Sequence, residues 1–221
     1  MKASIQGNPS FSHVHIDLDP GESFVAESGA MQSMSAEMSM KAVTNGGFFS
    51  ALAKKWFGRE SFFVNYYSNK GSSPMRLTIS QDVPGDILAL KLDGTKAICL
   101  QKGSYLAHAG DVKLKSSWAG FISWFSGEGL IKLKASGQGT VWFGAYGGII
   151  ERKVDGDLKV DDGHLVAYDP GLKLKIALAG GLFSSFFGGE GFVTRLVGSG
   201  TVYIQTRSLS GLASWLNPKF K

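Results

Sequence analysis

A short aromatic motif that ends in glutamate recurs three times along this chain. The segments are W-F-G-R-E-S-F-F from Trp56, W-F-S-G-E-G-L-I from Trp124 and F-F-G-G-E-G-F-V from Phe186. Their glutamates are Glu60, Glu128 and Glu190. Recurrence at a period of roughly 65 residues indicates one structural unit that is used three times. Because glycines flank these glutamates, we interpret the three carboxylates as structural acceptors of main-chain N–H groups in a turn.

Turn sequences separate the predicted units. V-P-G-D at 83–86 and V-D-G-D at 154–157 have the residues of tight turns rather than of flexible linkers. The predicted units are therefore residues 1–84, 85–155 and 156–221, the last with an added C-terminal helix. A single unit of this size would bury too little apolar surface to be stable alone. The three units are expected to pack as one body.

The pattern of apolar residues predicts an all-β fold. Alternation favours strands such as V-H-I-D-L at 14–18 and M-R-L-T-I at 75–79, and 30 glycines among 221 residues indicate many tight connections. Strands this short favour three repeated β-sandwich or barrel-like lobes. The one clear helix is short and C-terminal, with Ser208 or Ser210 as its N-cap and Pro218 as its stop.

The segment before each repeated glutamate is an aromatic excursion from the sheet. The aromatic residues of these three segments are Phe48, Phe49, Trp56, Trp118, Phe121, Trp124, Phe183, Phe186 and Phe187. On equivalent lobes around a pseudo-threefold axis, the excursions would emerge on the same side. Three interpretations stay open: the rings fill the core, form a subunit interface, or insert shallowly into a membrane.

Composition excludes several classes of protein. Cys99 is the single cysteine, so no intramolecular disulfide is possible, and no apolar run approaches the ~18 residues of a membrane span. The N-terminal sequence lacks the apolar core of a secretory signal, which favours a cytoplasmic protein. The formal net charge is +5, but the lysines alternate along strands as on a solvated face, so we expect no nucleic-acid partner.

Few residues suggest chemistry. His13 and His15 would share one face of a strand, with Gly7 ahead of them as at the start of cupin metal motifs, and they are weak candidates for a metal site. Asp19 is the only carboxylate at the distance that the cupin motif expects, and no second histidine motif follows. Nucleophile elbows, zinc-protease motifs and phosphate-binding loops are absent from the sequence. We therefore expect no enzyme and no cofactor.

Several motifs in order resemble the altered-inheritance-of-mitochondria family, whose bacterial members are a domain of unknown function. They are D-P-G-E-S-F-V-A-E-S-G-A-M at 19–31, V-P-G-D-I at 83–87, F-S-G-E-G-L at 125–130, F-F-G-G-E-G-F-V at 186–193 and G-T-V-Y-I-Q-T-R-S-L at 200–209. The resemblance implies a fold similar to the tryptophan RNA-binding attenuation protein, with three β lobes about a pseudo-threefold axis. It also implies a link to inner-membrane organisation, but no catalytic residues and no RNA binding.

Two functional hypotheses follow. The first is a non-enzymatic interaction or scaffold protein, expected to be a homo-oligomer, that contacts a protein partner or a membrane surface through the aromatic face. Such a protein would be cytoplasmic or peripheral to the inner membrane. The second is a small-ligand or metal-binding β protein that uses His13 and His15 or a cleft between the lobes.

Overall fold

The chain forms fourteen β-strands and one short α-helix in the part that the computed structural model describes, which is residues 1–44, 63–101, 103–118, 131–178 and 192–220. The first seven strands are β1 (Lys2–Gln6), β2 (His13–Leu18), β3 (Ser23–Glu27), β4 (Met31–Met34), β5 (Ser39–Thr44), β6 (Phe63–Ser68) and β7 (Met75–Ser80). The next seven are β8 (Ile87–Leu100), β9 (Tyr105–Trp118), β10 (Ile131–Gly144), β11 (Ile149–Asp161), β12 (Leu165–Tyr168), β13 (Lys173–Leu178) and β14 (Phe192–Gln205). Helix α1 (Leu209–Leu216) contacts a 3-10 turn at Asp162–His164 and is followed in sequence by a second 3-10 turn at Asn217–Phe220.

The strands form two antiparallel sheets. The smaller sheet has the order β1-β2-β7-β4, and the larger one has the order β11-β14-β12-β8-β10-β9-β3-β6-β5, with β13 also paired to β14. Among the described strands, no ladder closes either sheet into a barrel. The predicted all-β fold with a short C-terminal helix is confirmed.

Strand β2 shows how the sequence builds the sheet. Its residues alternate between partly exposed polar side chains and the fully buried Val14, Ile16 and Leu18. Alternation with period two places all three apolar side chains on the same face of the sheet. That face packs into a cluster with β7, which contributes Leu77 and Ile79, and both strand predictions in this region are confirmed.

Glycines let the long strands continue through bends. At the irregular position of the β8–β10 ladder, Gly137 has a φ of +111°, and an added Cβ would lie 2.1 Å from the carbonyl oxygen of Asp111 in β9. No other residue fits this close approach of two backbones. Gly156 has a φ of +105° within β11, so the predicted joint after residue 155 falls inside that strand.

Three ladders share one local feature, a bulge near the start of a strand. The pairing shifts between Met31 and Ser33 of β4, between Tyr105 and Ala107 of β9, and between Leu165 and Ala167 of β12. A bulge places two residues opposite one and bends the strand locally. Directly after these bulges, β9 pairs with β3 and β12 pairs with β8.

Two short junctions join the parts of the larger sheet. In the first junction, Val25 and Ala26 of β3 pair with His108 and Ala107 of β9. In the second junction, Cys99 and Leu100 of β8 pair with Tyr168 and Ala167 of β12. Each junction begins at the residue that ends a bulge, Ala107 in β9 and Ala167 in β12, and both of these alanines are fully buried.

In the described part of the chain, buried side chains form three hydrophobic clusters along the two sheets. They include aromatic contacts of Phe24 with Trp142, whose ring centroids lie 5.3 Å apart, and of Phe143 with Tyr203, at 5.2 Å. Such tilted and edge-on contacts add to the stabilisation that comes from burying the rings. The second cluster, around Phe143, lies directly beside both junctions.

Candidate functional site

A cavity of about 400 Å³ in the described part of the chain has the dimensions of a ligand site. The wall lies mainly at the connections between strands. Its residues are Glu27, Gly29 and Ala30 after β3, residues 80–83 after β7, Gln101 and residues 103–106 between and within β8 and β9, residues 144–146 after β10, Gly163, Leu165 and Val166 before and within β12, Gln205, and Leu209 and Ser210 of α1. This volume lies in the range of small-molecule pockets. All three predicted units therefore contribute residues to one concave site.

Hydrogen bonds between connections fix the cavity wall. Gln205 accepts from the backbone N–H of Tyr146 at 2.9 Å through Oε1 and donates to the carbonyl of Gly163 at 2.8 Å through Nε2. Gln81 donates to the carbonyl of Ala145 at 2.8 Å. The Ser104 hydroxyl lies 2.8 Å from the carbonyl of Gln101 and 3.1 Å from that of Val166. A wall built in this way is rigid before any ligand arrives.

Glu27 is the more buried of the two carboxylates that line the cavity, the other being Asp82. Glu27 comes two residues after the buried Val25 in β3, so the two side chains lie on the same face of the sheet. Burial, followed by the nearby charge of Asp82, raises the pKa of Glu27 to about 7. Among the described residues, no cation or hydrogen-bond donor contacts the Glu27 carboxylate.

A buried tyrosine near Glu27 contacts a buried histidine. The Oη atom of Tyr105 is 2.6 Å from Nδ1 of His108, and both side chains are less than a tenth exposed. Burial lowers the pKa of His108 to about 4, so the imidazole is neutral at physiological pH. Burial, followed by the charge of Glu27 and then by Tyr66, raises the pKa of Tyr105 well above its usual value.

The predicted histidine pair lies elsewhere. The rings of His13 and His15 share one face of β2, with centroids 4.9 Å apart. His15 Nδ1 is 3.0 Å from the hydroxyl of Thr78, and His13 Nδ1 is 3.5 Å from the carbonyl of Phe11. Within the described ranges no third histidine, cysteine or carboxylate completes a metal-binding group with them. Metal binding by this pair stays a prediction.

The predicted aromatic contact residues and repeat glutamates are outside the described residues. This applies to Phe48, Phe49, Trp56, Phe121, Trp124, Phe183, Phe186, Phe187, Glu60, Glu128 and Glu190. Trp118 is the last residue of β9, and its side chain is likewise outside the described part. No helix within the described ranges is both long and apolar enough to cross a bilayer.

Sequence reasoning missed the residues that the cavity brings together. Glu27 is the last residue of β3, and the sequence analysis assigns a role neither to its carboxylate nor to His108. One signal was available for Glu27: in S-F-V-A-E it continues the alternation of the buried Val25. The contact between Tyr105 and His108 had no such signal, because the bulge after Tyr105 puts two residues three apart on one face.

The architecture defines an all-β antiparallel protein in which strand connections from along the whole chain enclose one cavity. Residues 3–207 match the mitochondrial biogenesis AIM24 family, and the chain belongs to that family. An uncharacterized Streptococcus pyogenes serotype M6 protein, M6_Spy0233, is 28% identical over 225 residues, which cover 98% of this chain and 90% of that protein. The crystal structure of protein SPYM3_0169 from Streptococcus pyogenes is similar with a TM-score of 0.80 and 28% identity, and the match covers 99% of both chains.

Proposed function

We propose that this chain is a non-enzymatic interaction protein, which contacts a protein partner or a membrane-associated complex through its three aromatic segments. One observation carries the proposal. Each segment joins two antiparallel strands whose pairing runs up to the segment itself, at Thr44 with Phe63, Trp118 with Ile131 and Leu178 with Phe192. Each segment therefore connects two strands that pair with each other.

The proposal includes a pseudo-threefold arrangement of three units. It is supported by the pairing of the strands. The strands from β8 to β10, and those from β11 to β14, repeat the pairings that the shorter strands from β2 to β7 form with one another. The shared bulge and the two equivalent junctions support it further. By this criterion the third unit begins near residue 149, ahead of the predicted joint. Around a threefold axis, the three aromatic segments would lie at one level.

The proposal also includes the location and assembly of the chain. A cytoplasmic protein that is peripheral to the inner membrane and forms a homo-oligomer would expose the aromatic segments to a large partner. Support comes from the concentration of aromatic residues in these segments, because contiguous apolar surface usually marks a contact site.

A triple variant tests the contact surface. Phe48, Trp124 and Phe186 are changed to serine together, one in each segment, and proteins are captured from cells by crosslinking to tagged wild type and variant. We expect the variant to lose the partners that wild type retains. The matched control is Phe11→Ser, which removes a ring that is 74% exposed and lies outside the three segments.

A contact surface and a core role for the aromatic segments predict different results. Equal recovery of every partner by wild type and triple variant, with both proteins folded by circular dichroism, would contradict the proposal. Co-sedimentation with liposomes then separates a membrane surface from a protein partner. Loss of folding in the triple variant would instead favour the hypothesis that the aromatic rings form part of the core.

A second candidate function is the binding of a small ligand in the cavity. The observation that favours it is a pre-formed site of about 400 Å³ whose walls are cross-linked by hydrogen bonds. Native mass spectrometry of gently purified protein would detect a retained small molecule. Ser210 is exposed and lines the cavity, so Ser210→Trp should fill the cavity without disturbing the core. We expect the bound mass in wild type and its loss in this variant.

A further inference from the structure

We propose that the cavity binds a small organic cation, an amine whose ammonium group contacts the Glu27 carboxylate and whose apolar skeleton contacts the aliphatic part of the wall. This inference rests on the ligand-binding function proposed for the cavity. It adds the chemical class of the ligand and the residue that recognises it.

The charge of the cavity favours a cation. The described lining residues include the carboxylates of Glu27 and Asp82 but no lysine, arginine or histidine side chain. Asp82 is exposed at the edge, whereas Glu27 is more deeply placed. A carboxylate in a partly dehydrated site gains more from a charged donor than one in water, because a charge that is withdrawn from solvent requires a partner.

The hydrogen bonds of the wall favour Glu27 as the recognition group. The amide of Gln205 already bridges two backbone groups, and the hydroxyl of Ser104 lies within hydrogen-bond distance of two carbonyls. The hydroxyl of Tyr105 lies against His108. These groups hold the wall together, whereas the Glu27 carboxylate has acceptor capacity available within the described part of the chain. A ligand that donates hydrogen bonds is therefore matched to this site.

The apolar part of the wall sets the second requirement. Leu106, Leu165 and Val166 line the cavity on the sheet side, and Leu209 lines it from α1. Leu165 and Val166 are almost completely buried, so their positions are fixed by packing. A metal ion or a fully polar cation would leave this surface without a partner, whereas an amine with an aliphatic or aromatic skeleton would cover it.

Ammonium binding should depend on pH through Glu27. The ionisable groups around this carboxylate are Asp82 at the edge of the cavity, Tyr105 with Tyr66 behind it, and the neutral His108. None of them is a cation near pH 7. Since the pKa of Glu27 is about 7 in the free protein, affinity should rise as the pH increases through this value and the carboxylate ionises.

Matched probes test the class of ligand. Hexylamine and 2-phenylethylamine are compared with hexanol and 2-phenylethanol, which have the same skeletons without the charge, by ligand-detected NMR at pH 7.5. We expect each amine to bind wild type about tenfold more tightly than its alcohol, the difference that a charge-assisted contact provides. Glu27→Gln should remove this difference. Glu37→Gln, which changes an exposed glutamate outside the cavity, should leave it unchanged.

The outcomes distinguish recognition of a cation from the binding of any ligand by the cavity. Equal binding of amines and alcohols to wild type, unchanged by Glu27→Gln, would overturn the cation while leaving the cavity as a ligand site. Amine binding that survives in Ser210→Trp would place the site elsewhere and overturn the inference. Absence of binding by all four probes, together with no retained ligand in native mass spectra, would contradict ligand binding by this cavity altogether.

Discussion

The two junctions of the larger sheet have the same backbone pairing and different side chains. At the first junction, the surrounding groups are ionisable: Glu27, Tyr105 and His108 lie together, and burial shifts the pKa of each. At the second junction, burial, followed by the neighbouring Cys99, raises the pKa of Tyr168, so this group is neutral near pH 7. Gln101 donates from its backbone N–H to the carbonyl of Val166 at 2.9 Å, and Ser104 lies within hydrogen-bond distance of the same carbonyl.

This difference separates what the fold requires from what it only tolerates. Strand pairing after a bulge is possible with either set of side chains, so the ionisable groups at the first junction are not needed to build it. Buried ionisable groups lower stability unless they are paired, and they concentrate at functional sites. The first junction is therefore where we place the function of the cavity, and the second is where we expect stability to be greatest.

Truncation of an apolar side chain at each junction should have the largest effect. Leu100 is fully buried at the second junction, and Leu100→Ala should lower the free energy of unfolding by about 2–5 kcal/mol. Val25 is smaller and lies at the first junction, so Val25→Ala should cost about 1–2 kcal/mol. Urea denaturation measures both values.

An exposed site on the same sheet provides the control for these truncations. Ile150 of β11 is 50% exposed, so Ile150→Ala should change stability little. Equal losses for Val25→Ala and Leu100→Ala, after correction for the methyl groups removed, would show that the two junctions contribute alike. In that case the second junction would have no special role in stability.

Local alternation of apolar residues predicts the short strands, whereas pairing between distant segments determines where the long strands begin and end. V-H-I-D-L at 14–18 alternates strictly, and its strand is confirmed. V-D-G-D at 154–157 has the residues of a turn, yet β11 runs through it, because Gly156 adopts a positive φ while pairing with β14 continues on both sides. The full length of β9 is likewise not evident from the sequence, since Gly110 and several charged residues interrupt its apolar pattern.

The candidate site was less predictable than the fold. Its members come from connections that are distant in sequence, and a short motif holds no information about which connections meet. The approach of Glu27 to Tyr105 depends on the pairing of two residues in β3 with two in β9. The aromatic repeat was visible because it is local, whereas the cavity exists only once the sheets have assembled.

His108 and Glu27 should have opposing effects on the pH dependence of stability. His108 has a pKa of about 4 in the folded protein and ~6.5 when unfolded, so its contribution is complete above pH 6.5 and is lost as the pH falls, by about 3 kcal/mol in total. Glu27 has a folded pKa of about 7, raised from its ordinary value, so its contribution is lost as the pH rises through that range. In wild type the two slopes partly cancel between pH 4.5 and 6.5.

Single variants should separate these slopes. With Glu27→Gln, the urea midpoint should rise more steeply with pH between 4.5 and 6.5 than it does in wild type, because only the contribution of His108 remains. With His108→Gln, the midpoint should instead fall over the same window. Parallel curves for wild type and both variants would mean that neither group has a shifted pKa, and the contrast between the junctions would lose its electrostatic basis.

Removal of one hydroxyl at each junction should give the smallest effects and the finest comparison. Tyr105→Phe takes away the hydroxyl beside His108 Nδ1 in a buried site, so it should cost about 1–2 kcal/mol. Ser104→Ala should cost less, about 1 kcal/mol, because the Val166 carbonyl still accepts from the backbone N–H of Gln101. Thermal and urea denaturation of both variants against wild type would measure the difference. A larger loss of unfolding free energy from Ser104→Ala than from Tyr105→Phe would contradict this prediction. The hydroxyl of Ser104 at the second junction would then contribute more to stability than the hydroxyl of Tyr105 at the first.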